Sequence, residues 1–312
     1  MSVSSRAPSG TIADAGAVFA DERSRLVGLA YRMLGSRHDA EDAVQEAWLR
    51  WERADRSAID RPGAWLTTTV SRLALDALRA RQRERAEYVG PWLPEPVVLA
   101  DDPSLTVERR DTLRLGFLHL LERLNPRERV AYVLAEVFGE PHAVVGAVLG
   151  ASVVNSRQLV SRARRKLADG GGPWRRAAPH SADDDAAEPA ADVVLRFLTA
   201  LSVGDVGEAL AAVAPGVVLV SDGGRDHHAA RRPVLGPDRV VRLAANIAGR
   251  LPPDAGVAAA AVNGDPGVIV RWADGRPRLV MVFAVVDGAI EQISAIVNPD
   301  KLGAIDRPFV VA

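Results

Sequence analysis

The sequence predicts a multidomain chain: two all-α blocks, the second holding a helix-turn-helix, followed by an α+β cone. Three observations predict it. Apolar residues recur at helical spacing through residues 21–85 and again through 105–169. A glycine-cornered helix pair closes the second block, and its last helix carries a dense set of guanidinium groups. Beyond residue 189 the pattern changes to helices and then to short apolar segments separated by Asn-Gly and Asp-Gly turns.

In the first block, Ala40, Ala43, Val44, Ala47, Trp48 and Trp51 form one continuous helical stripe. Asp39, Asp42 and Glu46 line a separate, acidic face. Residues 26–34 supply an upstream helix to pack on the stripe. Pro62-Gly63 then punctuates, and a helix over 64–83 repeats Leu66, Val70, Leu73, Ala74 and Ala77. Its end is basic, with Arg72, Arg79, Arg81, Arg83 and Arg85. Residues 1–20 are expected to be disordered.

A linker is expected over 86–104. Its centre, Trp92-Leu93-Pro94-Glu95-Pro96, cannot be helical and favours extended, polyproline-like backbone. Trp and Leu are costly to leave in water, so this segment reads as a docking site rather than a plain spacer.

In the second block, Asn125-Pro126-Arg127-Glu128 has the spacing of a capping box and starts a helix running to about residue 138. The segment 141–166 is the most informative of the chain. Gly150 supplies the left-handed corner between two helices, and Ser152 offers an N-cap oxygen to the second. Val153, Val154, Leu159, Val160, Ala163 and Leu167 are expected inward; Arg157, Gln158, Arg162, Arg164 and Arg165 outward. Such a helix fits the major groove, where Arg, Asn and Gln read base edges and clamp phosphates. The competing reading is an antiparallel helix pair with a solvated basic face. The first helix of the pair, with Val144, Val145 and Gly146, has poor intrinsic helicity, so packing must hold it.

Charge is segregated along the chain. The formal net charge is −1, yet between residues 150 and 178 seven Arg and Lys residues face Asp169 alone. Any nucleic-acid surface is therefore local. The absence of Cys excludes disulfides, thiolate metal sites and Cys nucleophiles. Neither a signal-peptide pattern nor a membrane-length apolar run is present, so a soluble, cytoplasmic protein is expected.

After a polar linker over 170–189, helices are expected over 191–203, 205–214 and from Gly236-Pro237-Asp238 to about residue 249. Strands are expected at 217–221, 256–262, 267–272, 279–286 and 289–297. Together they make the cone of residues 190–312, with room for an interior pocket.

These strings resemble a family. The run DAEDAVQEAWLRW, the helix PGAWLTTTVSRLALDALRA and the Arg157-Gln158-Leu159 and Arg162-Ala163-Arg164 helix resemble bacterial sigma factors of the extracytoplasmic-function class. Trp92-Leu93-Pro94-Glu95-Pro96, Asp222-Gly223-Gly224 and Asn298-Pro299-Asp300-Lys301-Leu302 narrow the resemblance to the subgroup with a C-terminal SnoaL-like, NTF2-like extension. The resemblance implies sigma domain 2 over 21–85 and sigma domain 4 over 105–169. It implies RNA polymerase core as a partner, through its clamp helices and flap, with Asp39, Asp42, Gln45 and Glu46 on the clamp helices. Promoter DNA is the second implied partner. Ile59, Asp60, Arg61, Trp65, Thr68, Arg72, Arg79 and Arg81 would engage the −10 element. Asn155, Ser156, Arg157, Gln158, Ser161, Arg162, Arg164 and Arg165 would engage the −35 element, the first four near base edges. Trp65 reads as core more than as a stacking platform.

In the family the C-terminal domain regulates the sigma domains in cis, which implies contacts between the Trp92–Pro96 linker and the Asp222 and Asn298 motifs. This chain has Arg225 where a third Gly usually follows. Some SnoaL-like proteins are enzymes using a pocket Asp or His, and Asp222, His227 and His228 are the candidates here. No acid–base pair emerges at interpretable spacing, so the expectation is a non-enzymatic protein with no cofactor and no metal. Whether the cone takes a small ligand stays open. The competing function is a helix-turn-helix regulator with a ligand-binding or enzymatic SnoaL-like domain.

Overall fold

The computed structural model describes residues 12–84, 88, 90–99, 111–169, 189–224, 227, 229–303 and 305–311. The expected linker over 170–189 lies almost wholly outside the described residues, as do Arg225 and His228.

Three helices build the first block: α1 (Ile12–Leu34), α2 (Arg37–Arg53) and α3 (Pro62–Glu84). The stripe found in the sequence is the buried face of α2, where Ala40, Ala43, Val44, Ala47 and Trp51 pack on Leu26, Leu29 and Ala30 of α1 and on Leu66, Val70 and Ala74 of α3. Each large aliphatic side chain so buried contributes about 1.5–3 kcal/mol. Ser36 caps α2 by accepting from Asp39 N–H. The expectation of disorder over residues 1–20 fails from residue 12 onward. Helix α1 starts there, Ala15 and Phe19 are buried, and Phe19 packs on Trp48 with ring centroids 4.8 Å apart.

The second block holds α4 (Leu115–Leu121), α5 (Pro126–Tyr132), α6 (His142–Leu149) and α7 (Val153–Ala168). Both bonds of the Asn125–Glu128 capping box are present. The single helix expected to residue 138 instead widens into a π-helical turn over Val133–Val137, where Phe138 N–H bonds to Val133 O at 3.1 Å. The two helical blocks do not have separate interiors. One continuous apolar core joins α1–α3 to α4–α7 and takes in Phe309 and Val311 from the chain's end.

The third block opens with α8 (Ala190–Val203) and α9 (Val206–Ala211), then β1 (Val213–Asp222), β2 (Val234–Leu235) and α10 (Pro237–Ala248). Strands β3 (Gly256–Val262), β4 (Asp265–Arg271), β5 (Pro277–Val286) and β6 (Ala289–Ile296) follow, then a helical turn α11 (Pro299–Leu302). The helix expected over 205–214 ends at residue 211, because Val213 onward pairs with β6 and the strand claims it. The two-residue strand β2 carries no readable period. The sheet order is β2-β1-β6-β5-β4-β3, antiparallel except that β1 and β6 run parallel. Asn263-Gly264 and Asp287-Gly288 both adopt positive φ, as two-residue hairpin turns on right-twisted strands require. One sheet face packs on α8–α10. The other face, through Val218, Val220, Ile269, Val280, Val282 and Ile296, packs on Leu93 of the linker and Leu115 of α4. Among the described residues no single helix is long and apolar enough to cross a membrane.

Candidate nucleic-acid and polymerase interface

The helix-turn-helix corner is built as the residue types require. Gly150 sits at φ +58°, and Ser152 Oγ accepts from Asn155 N–H at 3.2 Å. Gly146 is explained here too. A Cβ at that position would lie 2.7 Å from Ala151 O, whose own amide donates to Gly146 O at 2.9 Å. Only glycine lets the corner fold back that closely.

On α7 the inward residues are Ser156, Leu159, Val160 and Ala163. Two expectations need correction. Val153 and Val154 are exposed, at 39% and 63%, because the first turn of α7 projects past the corner with nothing to cover it. Ser156 takes the inward place, fully buried, with its hydroxyl 3.0 Å from His142 Nδ1. It fastens α7 to α6 and does not face a groove. Asn155, Arg157, Gln158, Ser161, Arg162 and Arg165 all lie exposed on one outer surface. Arg164 is exposed as well, but Glu136 holds its guanidinium through bonds of 2.6 and 2.9 Å.

In the first block, Asp42 and Gln45 are exposed and Asp39 and Glu46 half-buried. Asp42 approaches His38 at 3.4 Å and Glu46 pairs with Arg50 at 2.9 Å, both one turn apart on α2. Asp39 pairs with Arg81, which also donates to Leu34 O at 2.7 Å. Arg81 is thus largely committed to tying α3 to the α1–α2 turn. Asp60 and Arg61 are exposed, whereas Ile59 and Trp65 pack on the core, Trp65 against Trp51 at 5.5 Å. Thr68 is half-buried. Arg79 is exposed and paired with Asp76 at 3.1 Å. Arg72, midway along α3, donates to Ala147 O of α6 at 2.7 Å. The face of α3 therefore rests against the helix-turn-helix.

The linker motifs converge. Asp222, at the end of β1, is fully buried and both its oxygens are occupied. Oδ2 accepts from Leu93 N–H at 2.7 Å and pairs with Lys301 Nζ at 2.5 Å. Oδ1 accepts from Gly224 N–H at 3.0 Å and from the Tyr88 hydroxyl. The carboxylate is a four-way junction with no lone pair left for proton transfer to a substrate. Lys301 also donates to Leu93 O and lies 4.0 Å from the Trp92 ring centroid, a cation–π contact. Asn298 caps α11 by accepting from Asp300 N–H at 3.1 Å, donates to Tyr88 at 3.3 Å, and backs Gly224, where a Cβ would sit 2.9 Å from its amide. Gly223 is equally constrained, its Cβ position 2.4 Å from His227 O. Burial and the adjacent Asp222 push the Tyr88 phenol well above its ordinary range, so it stays a donor.

The linker's other side grips the first block. Glu95 accepts from Arg37 N–H at 2.8 Å, at the N-terminus of α2 where the helix dipole favours an anion. Glu95 N–H donates to Gly35 O at 2.8 Å, and Gly35 lies so close to the Trp92 ring that a Cβ would be 3.0 Å from it. Burial raises the Glu95 carboxyl above its ordinary value, with the Arg37 and His38 amides opposing. Pro94 and Pro96 are buried beside it.

Several contact residues carry no motif. Asn263 at the β3–β4 turn accepts from Val97 N–H at 3.0 Å and donates to the Tyr31 hydroxyl at 2.7 Å and to Leu113 O at 2.9 Å. Arg37 donates to Arg307 O and stacks at 5.3 Å on Phe309, whose N–H bonds to Val98 O at 2.8 Å. In sequence, Asn263-Gly264 signalled only a hairpin, and Phe309 was one apolar residue in a short tail. Tyr88, four residues before Trp92, showed only as one more aromatic in the linker.

Comparison with known proteins agrees with this geometry. Residues 18–84 match the model of Sigma-70 region 2, and residues 114–167 match that of Sigma-70, region 4. The chain is 40% identical to the ECF RNA polymerase sigma factor SigJ of Mycobacterium tuberculosis, across 89% of this chain and 90% of that protein. It is 35% identical to the "Probable ECF RNA polymerase sigma factor SigI" of the same organism, across 90% and 92%. The crystal structure of M. tuberculosis SigJ superposes with a TM-score of 0.72 at 36% identity, covering 93% of this chain and 99% of that one. The helices, the helix-turn-helix and the C-terminal α+β domain are thus shared along nearly the whole length, and the chain belongs to the ECF RNA polymerase sigma factors.

Proposed function

We propose that this sigma factor, which directs RNA polymerase core to promoters, is held closed by its own C-terminal domain. The observation that carries this reading is the junction at Asp222, where Lys301, Tyr88 and the Leu93 amide meet. It fixes the linker between the two helical blocks while α3 leans on α6 through Arg72. A promoter presents its −10 and −35 elements on separate stretches of duplex, which blocks sharing one apolar core cannot span.

In this reading 21–85 and 105–169 are the two sigma domains, 190–312 the regulator, and 86–104 and 170–189 the connections. Asp42, Gln45 and Glu46, with Asp39 beside them, dock on the polymerase clamp helices. Asn155, Arg157 and Gln158 read −35 base edges, and Ser161, Arg162, Arg164 and Arg165 reach phosphates. Val154 is placed to meet a thymine methyl group. Ile59, Asp60, Arg61, Thr68, Arg72 and Arg79 serve the −10 element, with Trp65 shaping its pocket and Arg81 bracing α3.

The test uses the full chain. Since the protein has no Cys, Glu52→Cys and Ala168→Cys on exposed turns of α2 and α7 accept a pair of spin labels. Asp222→Asn or Lys301→Ala should lengthen the inter-label distance and raise promoter-dependent transcription at unchanged core binding. Distances and transcription that both stay at wild-type values would sink the closed-state reading.

A further inference from the structure

A cleft of about 610 Å³ opens at the end of the sheet where β1, β4 and β6 finish and β5 begins. Its size lies within the roughly 300–1,000 Å³ of small-molecule sites. The walls are mainly apolar: Trp272 and Pro277 on one side, Val297, Pro299 and Leu302 on the other. The charged groups are cationic, Arg276 and Arg278 at the β4–β5 hairpin, and His227 stands at the rim. Arg276 is occupied by Asp274 at 2.7 Å. Arg278 has no carboxylate partner among the described residues; its guanidinium lies 4.1 Å from the Trp272 ring centroid. A guanidinium held over an indole face can still offer its N–H edge to a bidentate acceptor.

We propose that this cleft binds a small carboxylate with a flat apolar body, and that binding strengthens the closed state. The carboxylate pairs with Arg278 and the apolar body lies between Trp272 and the Pro299–Leu302 wall. That wall is α11 itself. Leu302 lines the cleft and also belongs to the apolar cluster that holds Leu93, while its neighbour Lys301 reaches Asp222. His227 stands at the end of the Asp222-Gly223-Gly224 loop, its amide donating to Gly223 O at 3.2 Å. Two walls of the cleft are therefore the rear surfaces of the linker clamp. A ligand that needs α11 in its clamped position favours that position by linkage. The regulatory half rests on the closed-state reading above; the binding half does not.

The probes are 2-naphthoate and its uncharged isostere 2-naphthamide, titrated calorimetrically into the full chain. A charge-assisted bidentate pair predicts that naphthoate binds about ten- to hundred-fold tighter. Arg278→Gln should abolish that preference at unchanged melting temperature, and Arg278→Lys should retain part of it. Equal affinity for the two probes, or a preference that survives Arg278→Gln, overturns the site. Naphthoate should also slow hydrogen exchange at the Leu93 amide at least several-fold in wild type and not in Arg278→Gln. Binding without that protection overturns the coupling. The closed-state reading fails separately, through Asp222→Asn in the spin-label experiment, whatever naphthoate does.

Discussion

The side-chain amide of Asn263 donates to the Tyr31 hydroxyl at 2.7 Å, joining residues 232 apart in the sequence. Tyr31 passes the link on by donating to Glu95 O at 2.7 Å, and the same amide reaches Leu113 O. One buried side chain therefore ties the cone to α1, to the linker and to the entrance of the second block. Asn263→Gly keeps the φ of +54° but strands these partners in a dry site. Leaving such groups unsatisfied costs about 1–3 kcal/mol. Chemical denaturation should show that loss, together with faster hydrogen exchange at Val97. A variant as stable as wild type would mean that water replaces the amide.

Gly146→Ala tests the helix-turn-helix corner. The added methyl must displace Ala151 O from 2.7 Å, a backbone atom that cannot swing aside. Overpacking of this kind costs about 1–3 kcal/mol. The expected result is a lower melting temperature and weaker −35 binding, although alanine is the better helix former.

Variants at Arg157 and Arg165 test the proposed division between base reading and phosphate contact. Arg157→Ala should relax −35 sequence preference and cost about 1–3 kcal/mol on the preferred site. Arg165→Ala should weaken all sequences alike and reduce the salt-dependence slope by about one unit. Binding titrations over a range of salt on consensus and scrambled −35 duplexes read both. An Arg157→Ala protein with unchanged preference would remove that residue from base recognition.

Reversing charge at Asp42 and Glu46 tests the polymerase face. Both lie off the apolar stripe of α2, so Asp42→Arg with Glu46→Arg should leave the folding free energy within about 0.5 kcal/mol of wild type. Association with core polymerase, followed by gel filtration, should be lost.

Glu95 gives a pH dependence with a definite sign. Burial raises its carboxyl in the folded protein, so the folded state holds the proton more firmly than the unfolded chain. Its contribution to stability is complete below the unfolded value of about 4.5 and is lost as pH rises through the raised folded value. The stability difference between wild type and Glu95→Gln should therefore shift against wild type as pH rises from about 4.5. The slope can be no steeper than about 1.4 kcal/mol per pH unit. Paired urea titrations from pH 4.5 to 7 measure it.

Local chemistry made much of this fold legible. Gly150, Ser152 and the Asn125–Glu128 box act within four residues of themselves, and each adopts the conformation its side chain dictates. The hairpin at Asn263-Gly264 was equally readable, since turn type is a short-range signal. What escaped was tertiary. Val154 is apolar yet exposed, and Ser156 polar yet buried, because the depth of the α6–α7 corner decides which face of α7 is covered. Helix α1 extends upstream because Trp51 Nε1–H finds Ala15 O, a contact no periodicity announces. Tyr88, Asn263 and Phe309 gain their roles only once the cone docks on the helices.

The parallel pairing of β1 with β6 sets an order of events during synthesis. Asp222 and Lys301 meet because β1 and β6 lie side by side, yet one residue ends the first strand of the sheet and the other follows the last. The clamp cannot exist until α11 has left the ribosome, whereas the helices of both DNA-reading blocks have all been made by residue 169, before Phe309 and Val311 can complete their shared core. At about 5–20 residues per second the intervening segment takes roughly 7–27 s to emerge. On the closed-state proposal, each newly made molecule passes through an interval in which its helical blocks have no regulator, and a polymerase that meets the nascent chain then encounters an unrestrained factor.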